Sequence, residues 1–303
     1  MRVLKIVAVT LLLLFLLGAG AMIFFLSPAD SGNIATKIVV IAQGSSRAQI
    51  AQELFDAGVI KNNFAFFAYT KLAKVNAIPG TYEFSPSLSG STIAEKLARG
   101  EFKTIKITII EGWRATDIES YLVSEKNLPQ MQGFAAKAAG DEGYLFPDTY
   151  DLRVDITIDE LIAMMKKNFS DRTAGLNVTP DAVILASIVE REAANDSERA
   201  DIAGVYTNRL KIGMKLEADP TVQYAKGNWK AVTIADYTDT ISPYNTYLNP
   251  GLPPGPICNS GLKSIQAALN PIQNGYYYFF HAQGQTYFSV TYQEHEAKIK
   301  KYF

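Results

Sequence analysis

The chain has 303 residues, with 29 Lys and Arg against 30 Asp and Glu, and 48 % of it is hydrophobic. Such balance leaves no basic excess for nucleic acid, and two His with one Cys argue against a zinc site; no metal or cofactor is expected. The single Cys258 allows no internal disulfide, so the folded part must be held by its core.

Ile6 to Leu26 contains no charged residue. At about 1.5 Å per residue that run makes roughly 30 Å of helix, enough to cross a hydrocarbon core. Arg2 and Lys5 precede it, and the first acid after it is Asp30. Positive charge at the short end predicts a cytoplasmic tail over 1–5, a transmembrane helix over 6–26 and the remainder outside. A cleaved signal peptide would have a shorter apolar core, about 7–15 residues, and Pro28 interrupts the place for its cleavage site. No Cys follows to accept a lipid.

Ser27 to Thr36 is small and polar and reads as a linker. Lys37 to Ala42 is a β-branched run that predicts a strand. Gly44-Ser45-Ser46 offers a turn and a helix N-cap, and Ala48, Ile50, Ala51, Leu54 and Phe55 follow at helical spacing up to Gly58. Further elements are a helix over Asn63 to Lys74, a strand over Gly80 to Phe84 and a helix over Ser91 to Ala98 closed by Gly100. This alternation predicts a small α+β module. Ile105 to Ile110 reads as a strand, Thr116 to Ser124 as a helix capped by Thr116, Gly143 to Tyr150 as an aromatic turn, and Ile158 to Phe169 as a helix.

Thr179 caps and Pro180 opens an almost wholly apolar helix that ends in Glu190-Arg191-Glu192. Another helix runs from Ser197-Glu198 to about Leu210, ended by Gly213. In the loop Glu217 to Tyr224, Asp219 is placed to cap a helix with Pro220 at its first position. Asp239 to Gly261 should be irregular. Leu262 to Leu269 is a short helix stopped by Asn270-Pro271. Tyr276 to Phe280 and Thr286 to Val290 predict a hairpin, and a last helix starts at Tyr292.

The chemistry centres on the two glutamates. Glu190 shares a helical stripe with Val183, Ala186 and Ser187; Glu192 shares one with Leu185, Ile188 and Val189. A carboxylate buried on such a face is desolvated, which raises its pKa and suits it to donate a proton near neutral pH. Periodicity does not choose between them, and the structural alternative for Glu190 is an ion pair with Arg191, Arg199 or Arg209. Tyr244-Asn245-Thr246-Tyr247 and Gly251 to Pro256 offer flat aromatic faces and amides of the kind that hold sugars. His281 and His295 read as structural.

Seven segments in this order resemble the YceG-like endolytic murein transglycosylases: Gly143–Tyr150, Ala186–Glu192, Glu198–Val205, Asn208–Met214, Asp219–Tyr224, Tyr244–Tyr247 and Gly251–Ile257. The resemblance implies a single-pass inner-membrane enzyme whose external part cuts nascent peptidoglycan glycan strands endolytically, between N-acetylmuramic acid and N-acetylglucosamine. The muramic C6 hydroxyl attacks its own C1 and leaves a 1,6-anhydro end. Through the family's Ile-Val-Glu-x-Glu segment the resemblance assigns the acid, then base, to Glu190. Gln223, Tyr244, Asn245, Tyr247 and Asp219 become candidates for binding substrate. The fold implied is α+β: a LysM-like glycan-binding subdomain over 37–104, after the linker 27–36, and a larger mixed α/β catalytic domain over 105–303. Wall synthases are the implied partners. Departures from the family pattern are Ser260 for Pro, Thr286 for His, Glu296 for Asn and Glu217 for Gln. Two other readings remain: a hydrolytic muramidase in which Asp219 or Glu217 directs water, and a non-catalytic glycan-binding scaffold of the synthesis machinery.

Overall fold

A computed structural model describes residues 2–302. The fold is mixed α+β with an apolar N-terminal helix, and the chain divides into two compact units. One ends at Ile105 and takes in Asp151–Asp155; the other comprises Lys106–Tyr150 and the chain from Ile156 onward. Among the described residues the strands form three two-stranded sheets.

The first unit begins with α1 (Arg2–Leu26), which is long and apolar enough to cross a membrane and has no residue buried in the protein. Strand β1 (Lys37–Ile41) pairs antiparallel with β2 (Gly80–Phe84), placing Val39 opposite Tyr82. Alternation decides the faces: Val39 and Ile41 are buried while Ile38 and Val40 are exposed. The buried face packs on α2 (Arg47–Asp56), α3 (Asn63–Leu72) and α4 (Gly90–Arg99), through a core that includes Leu54, Phe66, Phe84, Ile93 and Leu97. Ser46 caps α2 in a full capping box with Gln49, and Gly100 closes α4 at φ 65°, as its sequence implied. The segment read as a linker is fastened down. Asp30 N–H donates to the Pro86 carbonyl at 3.0 Å, and Ser85 Oγ donates to the Asn33 carbonyl at 2.9 Å. At the exit of α1, Lys61 Nζ bonds Ser27 Oγ at 2.7 Å and lies 4.9 Å from the Phe24 ring.

The strand expected over Ile105 to Ile110 is β3 (Thr104–Thr108). The following helix starts one residue early as α5 (Ala115–Ser120) and continues as a π-helical turn over Tyr121–Glu125. Thr116 is not its cap. Arg114 holds that position, and Asp117 reaches back to accept from the Arg114 N–H at 3.0 Å. A short α6 (Phe134–Lys137) precedes the aromatic turn, which runs into β4 (Thr149–Arg153), the partner of β3.

In the second unit α7 (Ile158–Arg172) leads to α8 (Pro180–Glu192), whose residues from Ala182 to Val189 are all buried. A helix apolar on every side must be enclosed. Around it pack α9 (Arg199–Lys211), α10 (Asp219–Ala225) and α12 (Leu262–Leu269), with α11 (Ile234–Asp239) in the loop region between the last two. Asp219 does not cap α10: Ala218 occupies the cap and Asp219 is the first helical residue. The hairpin is β5 (Tyr278–Ala282) and β6 (Gln285–Ser289), joined by Gln283 and Gly284 at φ 51° and 73°, and α13 (Tyr292–Tyr302) follows it.

Gly204 on α9 is a test of packing against propensity. A Cβ there would run into the Ile272 carbonyl oxygen and Asn274. In an exposed helix Gly→Ala gains about 1 kcal/mol, but forcing atoms into a packed interior costs about 1–3 kcal/mol. Gly204→Ala is therefore expected to lower the urea midpoint rather than raise it.

Candidate active site

The last turn of α8 presents Glu190, Arg191 and Glu192, successive residues about 100° apart around the helix, and their side chains go to different surroundings. Glu190 has only 5 % of its side chain exposed and accepts from Arg199 Nη1 at 2.9 Å and from the Gly261 N–H at 2.9 Å. Arg199 is fixed in turn by Ser264 Oγ at 2.5 Å and by Asp196 at 3.1 Å. Of the three arginines considered for Glu190, Arg199 is the partner. The purely apolar setting suggested by its stripe is replaced by an ion pair.

Glu192 lines a cavity of about 210 Å³, together with Tyr206, Arg209, Glu217, Asp219, Tyr247 and their aromatic neighbours. Tyr206, fully buried on α9, donates its hydroxyl to Glu192 Oε1 at 2.8 Å. Burial pushes the Glu192 carboxyl up to about 7 from an ordinary 4.5; the Tyr206 hydrogen bond opposes this, the Asp219 charge reinforces it, and Arg209 opposes it weakly. Burial and the Glu192 charge likewise push the Tyr206 hydroxyl well above its usual range, so it acts as a donor.

Arg209 sets the cavity floor. Its Nη1 donates to the Leu216 carbonyl at 2.7 Å and its Nε to the Tyr277 carbonyl at 2.6 Å, tying the loop before α10 to the approach of the hairpin. Glu217 sits beside it in the left-handed region, at φ 50°, a conformation that costs a non-glycine residue energy and often marks a functional loop. Asp219 Oδ1 accepts from the Tyr247 hydroxyl at 2.7 Å, and Tyr237 stacks on Tyr247 with centroids 3.9 Å apart. The wall behind is stitched by buried hydroxyls: Thr246 Oγ1 meets Thr221 Oγ1 at 2.9 Å and accepts from the Ala218 N–H at 3.0 Å. His281 reaches the cavity from β5, with Nδ1 2.9 Å from Thr286 Oγ1, and Thr286 Oγ1 also donates to Glu198.

Of the residues proposed to bind substrate, Asp219 and Tyr247 reach this cavity. Gln223 does not line it and donates instead to the Lys230 carbonyl at 3.0 Å. Tyr244 packs on Tyr224 at 4.7 Å. Asn245 does not line the cavity either. It is fully buried, and its amide donates to the Tyr237 and Thr240 carbonyls and accepts from the Tyr247 N–H, so it holds the loop together. Tyr206, Arg209 and Tyr237 were not anticipated as site residues. Tyr206 had a readable signal, being the hydroxyl-bearing residue on a face of α9 shared with Ile202 and Ala203.

A second buried hub lies beside Glu190. Asn259 accepts from the Gly143 and Leu145 N–H groups at 2.8 and 3.0 Å and donates to Glu142 Oε1 at 2.6 Å. Burial pushes Glu142 up to about 7, against the bonds from Ala115 and Asn259. Cys258 is buried, and its thiol is pushed far up by that burial, which makes it inert. Among the described residues no group of His, Cys, Asp and Glu could hold a metal ion.

Residues 39–301 match the YceG-like family. The chain is 31 % identical over 315 residues to an endolytic murein transglycosylase of Bacillus subtilis strain 168, covering 91 % of this chain and 88 % of that protein. A protein of the same name from Streptococcus pneumoniae D39 is 28 % identical over 331 residues, and the chain spans 60 % of its length. A crystal structure of a YceG-like protein from Listeria monocytogenes has 33 % identity and a TM-score of 0.55, covering 87 % of this chain and 99 % of that one.

Proposed function

The chain belongs to the YceG-like family, and on that premise we propose that it is a membrane-anchored endolytic murein transglycosylase whose acid is Glu192. One observation carries the residue assignment: Glu192 is a carboxyl held near neutral by burial while it lines an open polar cavity. Glu190, which the family resemblance favoured, is occupied by Arg199 and the Gly261 N–H, so its work is to anchor the end of α8.

The reaction follows from that placement. Glu192 gives its proton to the glycosidic oxygen as the bond to muramic C1 breaks. Positive charge builds at C1 and the ring oxygen, and the Asp219 carboxylate in the same cavity stabilises it. The muramic C6 hydroxyl attacks C1 from within the same sugar and returns its proton to the ionised Glu192, leaving a 1,6-anhydro end. The nucleophile is already tethered, so proximity supplies part of the rate. The Tyr237–Tyr247 stack and Phe279 and Phe280 offer flat faces to the sugar rings. Residues 37–104 act as a LysM-like glycan-binding subdomain, 105–303 as the catalytic domain, and α1 anchors the chain with its N-terminus in the cytoplasm, close to the wall synthases. Similarity to the named murein transglycosylases supports the substrate class.

Digestion of sacculi with the purified protein, read by mass spectrometry, tests the reaction. Anhydromuramic ends are expected. Reducing ends would instead mean a hydrolytic muramidase, which the Asp219 carboxylate near Glu192 makes the leading alternative; no soluble fragments at all would mean a scaffold. Since the acid must hold its proton for the first step, turnover is expected to fall as pH rises through about 7.

A further inference from the structure

Arg191 is the cation of this region that lacks an anion. Its Nε is buried without a partner, and no carboxylate pairs with it among the described residues. Its guanidinium lies 4.1 Å from the centre of the Trp229 ring. The backbone of Gly112, at φ 80°, comes so close that a Cβ there would lie 3.2 Å from Arg191 Nη1. Arg114 also approaches Trp229, at 4.8 Å, but Asp117 neutralises it through bonds of 3.0 and 2.8 Å and also accepts from Trp229 Nε1 at 3.2 Å. The contrast is informative: two guanidinia share one indole, one is compensated and the other is held in place with its charge open. A fixed, planar, uncompensated guanidinium suits a carboxylate, which it can grip with two parallel N–H bonds.

We propose that Arg191, positioned by Trp229 and the Gly112 turn, binds a carboxylate of the peptide stem carried by the glycan strand, and so makes the enzyme prefer stem-bearing strands. The proposal rests on the reading that this site cuts peptidoglycan at Glu192. Arg191 does not line the Glu192 cavity, and its side chain leaves α8 about 100° around the helix from Glu192. The two Cα atoms are nonetheless only about 3.8 Å apart, so the stem of a strand seated at Glu192, being longer and more flexible than the sugars, is the part that reaches Arg191. The sugars offer no charge except on muramoyl groups, where the lactyl carboxyl is amide-linked when a stem is present. The free carboxylates of an intact strand are therefore those of the stem.

The test compares the full-length wild type with Arg191→Gln and Arg191→Lys on three substrates: stem-bearing strands, the same strands with stem carboxylates converted to amides, and strands stripped of stems by an amidase. Arg191→Gln is expected to raise KM about tenfold on the first substrate, the scale of one charge-assisted pair, with kcat within about twofold and no change on amidated stems. Arg191→Lys, which keeps the charge without the fork, should recover part of the loss. Equal losses on all three substrates would show a structural role and overturn the proposal. A loss confined to stripped strands would move the contact to the lactyl carboxylate and overturn the stem assignment. Calorimetric titration of Glu192→Gln, with and without Arg191→Gln, against stem-bearing strands reads the same contact without turnover. If the wild type forms no anhydro ends, the catalytic reading fails by itself, and equal binding by the two variants would overturn the Arg191 site separately.

Discussion

Glu192→Gln is expected to cut anhydro-end formation by about 10²–10⁴, the usual contribution of a general acid, and yet to leave the protein more stable than the wild type at pH 8. The sign follows from the direction of the pKa change. The Glu192 carboxyl titrates at about 7 in the fold against an ordinary 4.5, so the folded state disfavours the ionised form. The penalty is absent below about pH 4.5, grows as pH rises and is complete above about 7, where it reaches about 3 kcal/mol. Gln removes the charge and can still accept from the Tyr206 hydroxyl, so a gain of about 1–3 kcal/mol is expected at pH 8 and almost none at pH 4. Glu142, also raised to about 7, keeps its own part of the pH dependence, so the variant should flatten the stability profile without abolishing its slope. Urea unfolding across that range, beside the product assay, checks both halves. A fully active Glu192→Gln protein would remove Glu192 from the chemistry.

Glu190→Gln should do the reverse. It leaves Arg199, 11 % exposed at its side chain, with only Asp196 of its two carboxylate partners. Removing one member of a buried pair typically costs about 3–5 kcal/mol when the other charge is left uncompensated; with Asp196 still paired to Arg199 a loss of about 1–3 kcal/mol is expected. The variant is expected to unfold at markedly lower urea, while the molecules that remain folded retain cleavage. Adding Arg199→Met should return part of the stability, since the incompletely paired charge is then gone. The two glutamates thus separate on two axes, stability and turnover. A stable, inactive Glu190→Gln protein beside an active Glu192→Gln protein would return the acid to Glu190.

The parts of the fold that could be read directly are those where punctuation and periodicity agree. Gly80–Phe84 and Leu262–Leu269 emerge with the expected boundaries, the second because Gly261 and Asn270-Pro271 bracket an apolar run. Strand β4 was hidden because its pairing partner lies some 40 residues earlier in the chain and its own start, Thr149-Tyr150, looks like the tail of the aromatic turn. The choice between Glu190 and Glu192 was illegible for a similar reason. Both end apolar stripes on one helix, and what distinguishes them is contributed from elsewhere: Arg199 and Gly261 on one side, Tyr206, Asp219 and Tyr247 on the other. The burial of Asn245 was not legible either, because a short amide among tyrosines reads as a surface sugar contact and what encloses it comes from the rest of its own loop.

The grip of Lys61 on Ser27 and Phe24, with Asp30 and Asn33 laid against the loop that follows β2, bears on how far the chain can range. A protein that left the bilayer on a slack leash could sample wall material through a wide shell. Here the first module is bolted to the top of its own mast, so for a chain anchored as proposed that module rides at one set altitude above the lipid. On the proposed function, the strand cut there is one still close to the bilayer, before it joins the mature layer further out.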